Sequence, residues 1–183
     1  MTLHGTKKVL DIGCGKQKVP GAIGIDFNVK LDADIAHNLN EFPYPFSDSE
    51  FDEIHIRDTL FLLDNPVKVM EEVYRLCKMD GEVVVLSPYF RSVWAHVDPG
   101  FRNFCTAHSF AFYDPVDPLC IRYEYSTARF KTLNIIFNEG LSNRLPTRII
   151  VAIANRFPRK YELYLSHLFP LDTIKFHLKK ISG

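Results

Sequence analysis

Short apolar runs alternate with turn-rich segments along the chain, in the pattern that buried strands of a parallel sheet produce. Five such runs come before residue 90, and two longer runs lie in the C-terminal half. The pattern predicts seven strands, at residues 9–12, 22–26, 33–37, 51–56, 82–86, 129–137 and 173–180.

Apolar positions at helical spacing predict a helix shortly after the fourth strand. Asn65 is suited to cap its N-terminus, and Pro66 to occupy its first position. Met79-Asp80-Gly81 is expected to end it, and its apolar face is formed by Val67, Met70, Val73, Tyr74 and Cys77. Because the order is strand, helix, strand, we expect a right-handed crossover within a parallel sheet.

A second helical segment is predicted at residues 146–168, with an interruption at Pro158 because proline cannot continue the helical hydrogen bonding. It belongs to an insertion at about 141–170, between the last two strands.

The chain has 183 residues, which is the length of one domain, and we predict a single α/β domain spanning residues 1–183.

Composition narrows the class of protein. Lys and Arg number 22, as do Asp and Glu, so the formal net charge is zero and no general attraction to nucleic acid is indicated. No apolar run reaches the roughly 18 residues of a membrane-spanning helix, and the N-terminus lacks the pattern of a signal peptide, so we expect a cytoplasmic protein. The four cysteines form no C-x-x-C pair, which predicts reduced thiols and no metal site.

A glycine-containing turn follows the first strand, and an acid ends the second. In an open parallel sheet, ligands bind beyond the carboxyl ends of the strands, where glycine lets the backbone approach closely. A carboxylate such as Asp26 can accept hydrogen bonds from both hydroxyls of a ribose, so the pattern indicates a cofactor that contains adenosine. A dinucleotide site needs a third glycine, where Lys18 stands, and a helix start after Gly15. The other adenosine-containing cofactor considered, S-adenosylmethionine, has no phosphate and therefore needs neither the third glycine nor the helix. Asp11, below the turn, can help to hold its ammonium group.

Four stretches in order resemble the class I S-adenosylmethionine-dependent methyltransferases, in particular the methyltransferase type 11 group. They are residues 9–15, the acid at Asp26, residues 46–54 and residues 73–85. The resemblance covers roughly residues 7–90. It implies a Rossmann-like fold with a mostly parallel seven-stranded sheet whose last two strands form an antiparallel pair.

The resemblance also implies a cofactor, S-adenosyl-L-methionine, and the residues that bind it. Residues 7–90 would form the cofactor-binding half, and residues 91–183 the acceptor side. The implied cofactor-binding residues are Asp11, Gly13, Cys14, Gly15, Asp26, Phe27, Asn38, Leu39 and Arg57.

Three departures from the family pattern keep a second interpretation open. Gln17 replaces a glycine, Asn38 replaces an aspartate, and Leu60-Phe61-Leu62 replaces a Leu-Glu-His stretch. The favoured function is methyl transfer to an unidentified small or medium-sized acceptor. The alternative is a protein that binds S-adenosylmethionine or S-adenosylhomocysteine without turnover.

The first crossovers are unusually short. Six residues separate Gly15 from Ala22, and six separate Asp26 from Ala33, whereas a parallel crossover usually needs about a dozen or more. The helices that normally cover one face of the sheet are therefore expected to be missing. The apolar surface so exposed would be covered by residues 146–168 or by the partner in a homodimer.

The catalytic candidates Tyr89, His96 and Asp98 follow the fifth strand, where the family builds its acceptor site. An oxygen acceptor must lose a proton, and histidine has a pKa suited to a general base. The alternative is that His96 is a surface residue and that Asp98 only forms a turn. Residues 87–90 look loosely similar to a loop of nucleic-acid methyltransferases, but they follow a different strand, and we expect no nucleic-acid partner.

The C-terminal segment is basic. From residue 140 onward, eight cationic side chains outnumber the two acids Glu162 and Asp172, and apolar residues are interleaved with them. This pattern indicates either an interfacial surface for a lipid-linked or anionic acceptor, or a covering helix pair with ordinary cations at its rim.

Overall fold

The computed structural model describes residues 7–28, 30, 32–138 and 145–182, with only the backbone given at Leu145. Seven strands form one sheet in the order β3-β2-β1-β4-β5-β7-β6. The strands are β1 (Val9–Ile12), β2 (Ile23–Asp26), β3 (Ile35–Ala36), β4 (Phe51–Arg57), β5 (Cys77–Pro88), β6 (Phe130–Phe137) and β7 (Thr173–Lys180). All seven predicted strands are confirmed.

The first five strands run parallel, and β7 is antiparallel to both of its neighbours. Strand order therefore reverses between β1 and β4, and the carboxyl ends of both strands lie at the same edge of the sheet. A crevice beyond that edge is where an open α/β sheet binds its ligands.

The described helices lie after β4. They are α1 (Pro66–Leu76), α2 (Trp94–Val97), α3 (Pro118–Tyr123), α4 (Leu145–Arg156) and α5 (Pro158–Tyr164), with two 3₁₀ turns at Leu60–Leu62 and Ala111–Tyr113. The Asn65 side chain caps α1 by accepting a hydrogen bond from the Lys68 amide at 3.1 Å. Among these helices, none has the length and apolar character needed to cross a bilayer.

The boundary between α1 and β5 differs from the prediction. Residues 79–81 do not end the helix, because α1 already stops at Leu76 and Cys77 begins β5. Cys77 pairs with Phe51, the register then shifts, and Glu82 pairs with Glu53. Asp80 has φ = 63° within this irregularity, so the break lies inside one long strand.

The shortened crossovers are confirmed. Residues 13–22 connect β1 to β2 without a helix, and none occurs among the described residues 27, 28, 30 and 32–34 between β2 and β3. The first crossover that contains a helix is the one through α1.

The two faces of the sheet differ in polarity, which explains how it tolerates the missing helices. Leu10, Ile54 and Val83 are in register on one face, where they are fully buried in the core with Val69 and Val73 of α1. Neighbouring residues on a strand point to opposite faces. At the alternating positions of these strands and of β7, the other face carries polar side chains, among them Asp11, Glu53, His55, His177 and Lys179.

The expected apolar surface over β1 and β2 is therefore largely absent, and α4 and α5 do not replace the lost helices there. They pack at the opposite edge of the sheet, against β6, where the Tyr161 ring contacts the Phe137 ring at 5.0 Å. Of the predicted insertion at 141–170, residues 141–144 lie outside the described residues.

Candidate functional site

The turn after β1 brings bare backbone against the start of the segment that follows β4. Gly13 has φ = 68°, and its amide donates to the Ile25 carbonyl at 2.8 Å. A Cβ atom built on Gly13 would lie 2.2 Å from Thr59 Oγ1. Both the backbone conformation and the lack of space require glycine here.

The Asp26 carboxylate is held at the end of β2 by two backbone amides. Gly15 N–H donates to Oδ2 at 3.1 Å, and Asn28 N–H donates to Oδ1 at 3.1 Å. Each carboxylate oxygen has two acceptor sites. One site on each oxygen therefore remains for a ligand, which matches the two hydroxyls of a ribose.

A pocket of about 590 Å³ opens beside Asp26, and we call it the Asp26 pocket. It is lined by Gly13, Asp26, Phe27, Asn38, Leu39, Asn40, Thr59, Leu62 and Leu63. Asn38 is held in a local turn, because its Oδ1 accepts from the Asn40 amide and its Nδ2 donates to Glu41. The structure thus gathers Gly13, Asp26, Phe27, Asn38 and Leu39 from three separate segments.

A second pocket of about 320 Å³, the Arg57 pocket, shares Gly13 with the first. It is lined by Gly13, Cys14, Gly15, Lys16, Gln17, Arg57 and Asp58. Because one glycine borders both pockets, an elongated molecule that passes Gly13 can occupy both.

Asp11 lies beneath the Arg57 pocket and is fully buried. Its Oδ2 accepts from the Val19 amide at 2.8 Å and from Arg57 Nη2 at 2.6 Å, and Arg57 Nη2 also donates to the Gln17 carbonyl. Asp11 Oδ1 and Arg57 Nε are the buried side-chain polar atoms without a partner among the described residues. Buried polar groups are nearly always paired, so an unpaired acceptor and an unpaired donor on two hydrogen-bonded side chains indicate a ligand with both kinds of group.

Cys14 lies between these charges as a neutral thiol. Burial, followed by the nearby charges of Asp11 and Asp26, raises the pKa of Cys14 to about 11. A thiol with this pKa is protonated at neutral pH, so Cys14 contributes shape and not a nucleophile.

The three catalytic candidates fall outside both pockets. Tyr89 is fully buried, and its hydroxyl donates to Glu162 Oε2 at 3.2 Å. The position of Tyr89 in the core gives no support to a direct role in catalysis. Asp98 is exposed and accepts from the Gly100 amide at 2.7 Å. This is the geometry expected if Asp98 only forms a turn. His96 and Asp98 do not hydrogen-bond to each other in the described part of the chain.

One contact nevertheless places this segment beside the Asp26 pocket. A Cβ atom built on Gly100 would lie 3.3 Å from Leu62 Cδ2, and Leu62 lines that pocket. The amides of Arg102 and Asn103 donate to the Phe61 carbonyl. Residues 98–103 therefore lie beside the Asp26 pocket.

Sequence reasoning missed some residues of the pockets: Lys16, Thr59, Leu62 and Leu63. Thr59 could have been found from its position, because it lies two residues after the end of β4. β4 is the neighbour of β1 at the point where strand order reverses, so residues just after it face the β1 turn. Sequence reasoning also missed a half-buried cluster in the C-terminal half, in which Glu162 accepts from the Ala107 amide at 2.6 Å and lies 3.0 Å from His108 Nδ1. Within the described ranges, no group of three or more His, Cys, Asp or Glu side chains is arranged to hold a metal ion.

Comparison with known proteins agrees with this geometry. Residues 10–85 match the model of a methyltransferase domain family, a range that contains the β1 turn and Asp26. No curated protein matches the chain.

Solved structures share the fold at low sequence identity. A SAM-dependent methyltransferase from Archaeoglobus fulgidus is 20% identical, with a TM-score of 0.56 over 96% of this chain and 87% of that chain. An S-adenosylmethionine-dependent methyltransferase from Mesorhizobium loti is 12% identical, with a TM-score of 0.57 over 96% and 92%. The [4+2]-cyclase SpnF is 17% identical, with a TM-score of 0.56 over 99% of this chain and 78% of that chain.

The strand order and the paired pockets define an α/β protein with the Rossmann-like class I methyltransferase fold. The chain is thus similar to methyltransferases in two respects: residues 10–85 match a methyltransferase domain family, and the fold is shared with proteins that depend on the cofactor S-adenosyl-L-methionine.

The residues present fit that cofactor. Asp26 offers two acceptor sites for the ribose hydroxyls, and Asp11 Oδ1 offers one for an ammonium group. Arg57 Nε offers a donor for a carboxylate. A nucleoside with an attached amino acid needs this set of groups on the two sides of Gly13.

Proposed function

We propose that this protein transfers the methyl group of S-adenosylmethionine to a small or medium-sized acceptor that enters past residues 98–103. The observation that supports this most is the pair of pockets that meet at Gly13. With the nucleoside in the Asp26 pocket and the methionine end in the Arg57 pocket, the sulfonium would lie against the backbone of the β1 turn.

In this proposal, the residues of the chain hold and orient the reactants. Asp26 binds the ribose, Phe27, Asn38 and Leu39 contact the adenine, and Asp11 with Arg57 holds the methionine end. Gly13, Cys14 and Gly15 supply the surface along which the cofactor lies. Methyl transfer is an in-line displacement, for which alignment of the two reactants supplies much of the rate enhancement.

For an acceptor that must lose a proton, His96 remains the candidate base. His96 Nε2 lies 3.2 Å from the Phe90 carbonyl, which can only accept, so this nitrogen carries the proton. The other ring nitrogen, Nδ1, then has a free lone pair, and it has no hydrogen-bond partner among the described residues. His96 is exposed, so an acceptor can reach it.

The experiment is to titrate S-adenosylmethionine, S-adenosylhomocysteine and NADH by calorimetry, and then to assay S-adenosylhomocysteine formation with acceptors that carry hydroxyl, phenol, amine, thiol or carboxylate groups. His96→Gln keeps a hydrogen-bond donor for the Phe90 carbonyl but removes the base. We expect it to lower kcat for a hydroxyl acceptor by about 10²- to 10⁴-fold, with cofactor affinity unchanged. His177→Gln, on β7, is the matched control.

The alternative function, binding without turnover, is favoured by the buried Tyr89 and by the engagement of Asp98 in its own turn. It predicts tight binding of S-adenosylhomocysteine and no product from any acceptor class. Binding of NADH in preference to either sulfur nucleoside would contradict both functions.

A further inference from the structure

The outward side of α4 is apolar, although it faces away from the core. Exposed side chains recur every four residues: Ile149 is 55% and Ile153 is 37% exposed on α4, and Phe157, directly after it, is 46% exposed. Other positions of the helix supply the packing, because Ala154 is fully buried and Ile150 and Val151 pack against the core. The exposed stripe is therefore not needed to attach the helix to the sheet.

The apolar surface continues over α5 and the residues after it. Leu163, Tyr164, Leu168 and Phe169 are between 49% and 68% exposed. A groove of about 510 Å³ runs between the start of α4 and residues 168–171. Ile149, Leu168 and Phe169 line this groove together, and exposed apolar surface that extends over several elements marks an interaction site.

A third apolar element stands beside it. Arg91 Nε donates to Ser166 Oγ at 2.8 Å, and the Ser92 hydroxyl lies 3.4 Å from Asp172, so the residues before α2 are tied to those after α5. On α2, Trp94 is 58% and Val97 is 60% exposed, and Val93, directly before it, is 65% exposed.

The rim of this surface is positively charged. Between residues 145 and 170 the cations are Arg148, Arg156, Arg159 and Lys160, and the one acid is Glu162. Arg159 is paired with Asp117 at 2.6 Å, so the rim charge rests on Arg148, Arg156 and Lys160. Glu162 is turned inward to the Ala107 amide and His108. Arg156 and Lys160 flank the Phe157 ring at 5.0 and 5.5 Å, so charge and apolar surface are interleaved.

We propose that α2, α4 and α5 together form a docking surface for a membrane that contains anionic lipids. Cations would contact the headgroups while the exposed aliphatic and aromatic side chains enter the boundary with the acyl chains, as amphipathic interfacial helices do. A second copy of this chain fits the surface less well, because a two-fold interface would bring the same cations of both copies together. Docking requires no cofactor and is independent of methyl transfer.

The test uses the full chain with two kinds of vesicle, phosphatidylcholine alone and phosphatidylcholine mixed with phosphatidylglycerol. Sedimentation measures binding, and fluorescence measures burial of Trp94, which is the single tryptophan of the chain. We expect binding and a blue shift with the anionic vesicles, both weakened by salt, and little of either with the neutral vesicles.

Variants assign the binding to this surface. Ile149→Gln and Leu163→Gln should each weaken vesicle affinity by about tenfold or more, since burying such a side chain contributes strongly. Arg156→Gln should weaken it by about fivefold. Met79→Gln, exposed near the start of β5, and Lys68→Gln, on α1, are the matched controls and should bind normally.

Equal binding to both kinds of vesicle, no binding to either, or losses in the controls as large as those in the surface variants would overturn the proposal. Concentration-dependent self-association that is abolished by Ile149→Gln, without vesicle binding, would assign the surface to a second copy instead.

Discussion

Removing the Asp26 carboxylate should weaken the binding of S-adenosylhomocysteine by an amount that follows from its surroundings. Each carboxylate oxygen keeps one acceptor site after the amides of Gly15 and Asn28 are satisfied. A hydrogen bond to a charged group contributes about 1.5–3 kcal/mol. Losing one such bond at about 1.5 kcal/mol would raise Kd about 12-fold, and losing both would raise it about 140-fold, at about 1.4 kcal/mol per factor of ten. We expect Asp26→Ala to fall in this range.

The assay is calorimetric titration of wild type, Asp26→Ala and the control Asp32→Asn with S-adenosylhomocysteine. Asp32 lies in the loop after β2, outside both pockets, so its variant should bind as wild type does. The same titrations with an analogue whose ribose lacks both hydroxyls should show a much smaller difference between wild type and Asp26→Ala. Thermal unfolding of each variant checks that the fold persists. Unchanged affinity in a folded Asp26→Ala variant would refute the assigned position of the ribose.

The remaining predictions concern the turn, the core and the thiol. Gly13→Ala should abolish S-adenosylhomocysteine binding in a titration, because its Cβ would lie 2.2 Å from Thr59 Oγ1; normal binding would disprove the close approach. Arg75→Ala should lower the free energy of unfolding in urea by about 3 kcal/mol, because buried Glu72 loses its cationic partner and keeps the neutral Tyr44 amide; a loss below about 1 kcal/mol would make this pair an ordinary surface contact. Cys14 should react slowly with iodoacetamide at pH 7.5, and roughly tenfold faster per pH unit up to its pKa of about 11; rapid labelling near neutral pH, located by mass spectrometry, would contradict the raised pKa.

Local patterning was sufficient to place the strands because each strand is a short apolar run bounded by turn residues. The missing first helices were also predictable, since six residues cannot form a helical crossover. Sequence alone gave the wrong expectation for the uncovered face. Asp11, His55 and His177 are far apart in the chain, and only the register of β1, β4, β5 and β7 shows that they share one polar face.

The candidate site shows the same division. Asp26, Asn38 and the β1 turn were predicted together because parallel strands bring their carboxyl ends to one edge. Thr59 was not predicted, since its contact with Gly13 depends on how the segment after β4 folds back over the turn. Tyr89 had the residue type and position of a catalytic group, but its ring lies in the core beneath α5.

The sequence by itself determined the order of elements, the glycine turn after β1 and the acid at the end of β2, because these depend on local periodicity and backbone conformation. Only the tertiary structure decided that Gly13 joins two pockets, that Asp11 and Arg57 each keep one unpaired buried atom, and that the outer side of α4 is apolar. These features depend on contacts between residues that are distant in the chain, and periodicity within a single segment carries no information about them.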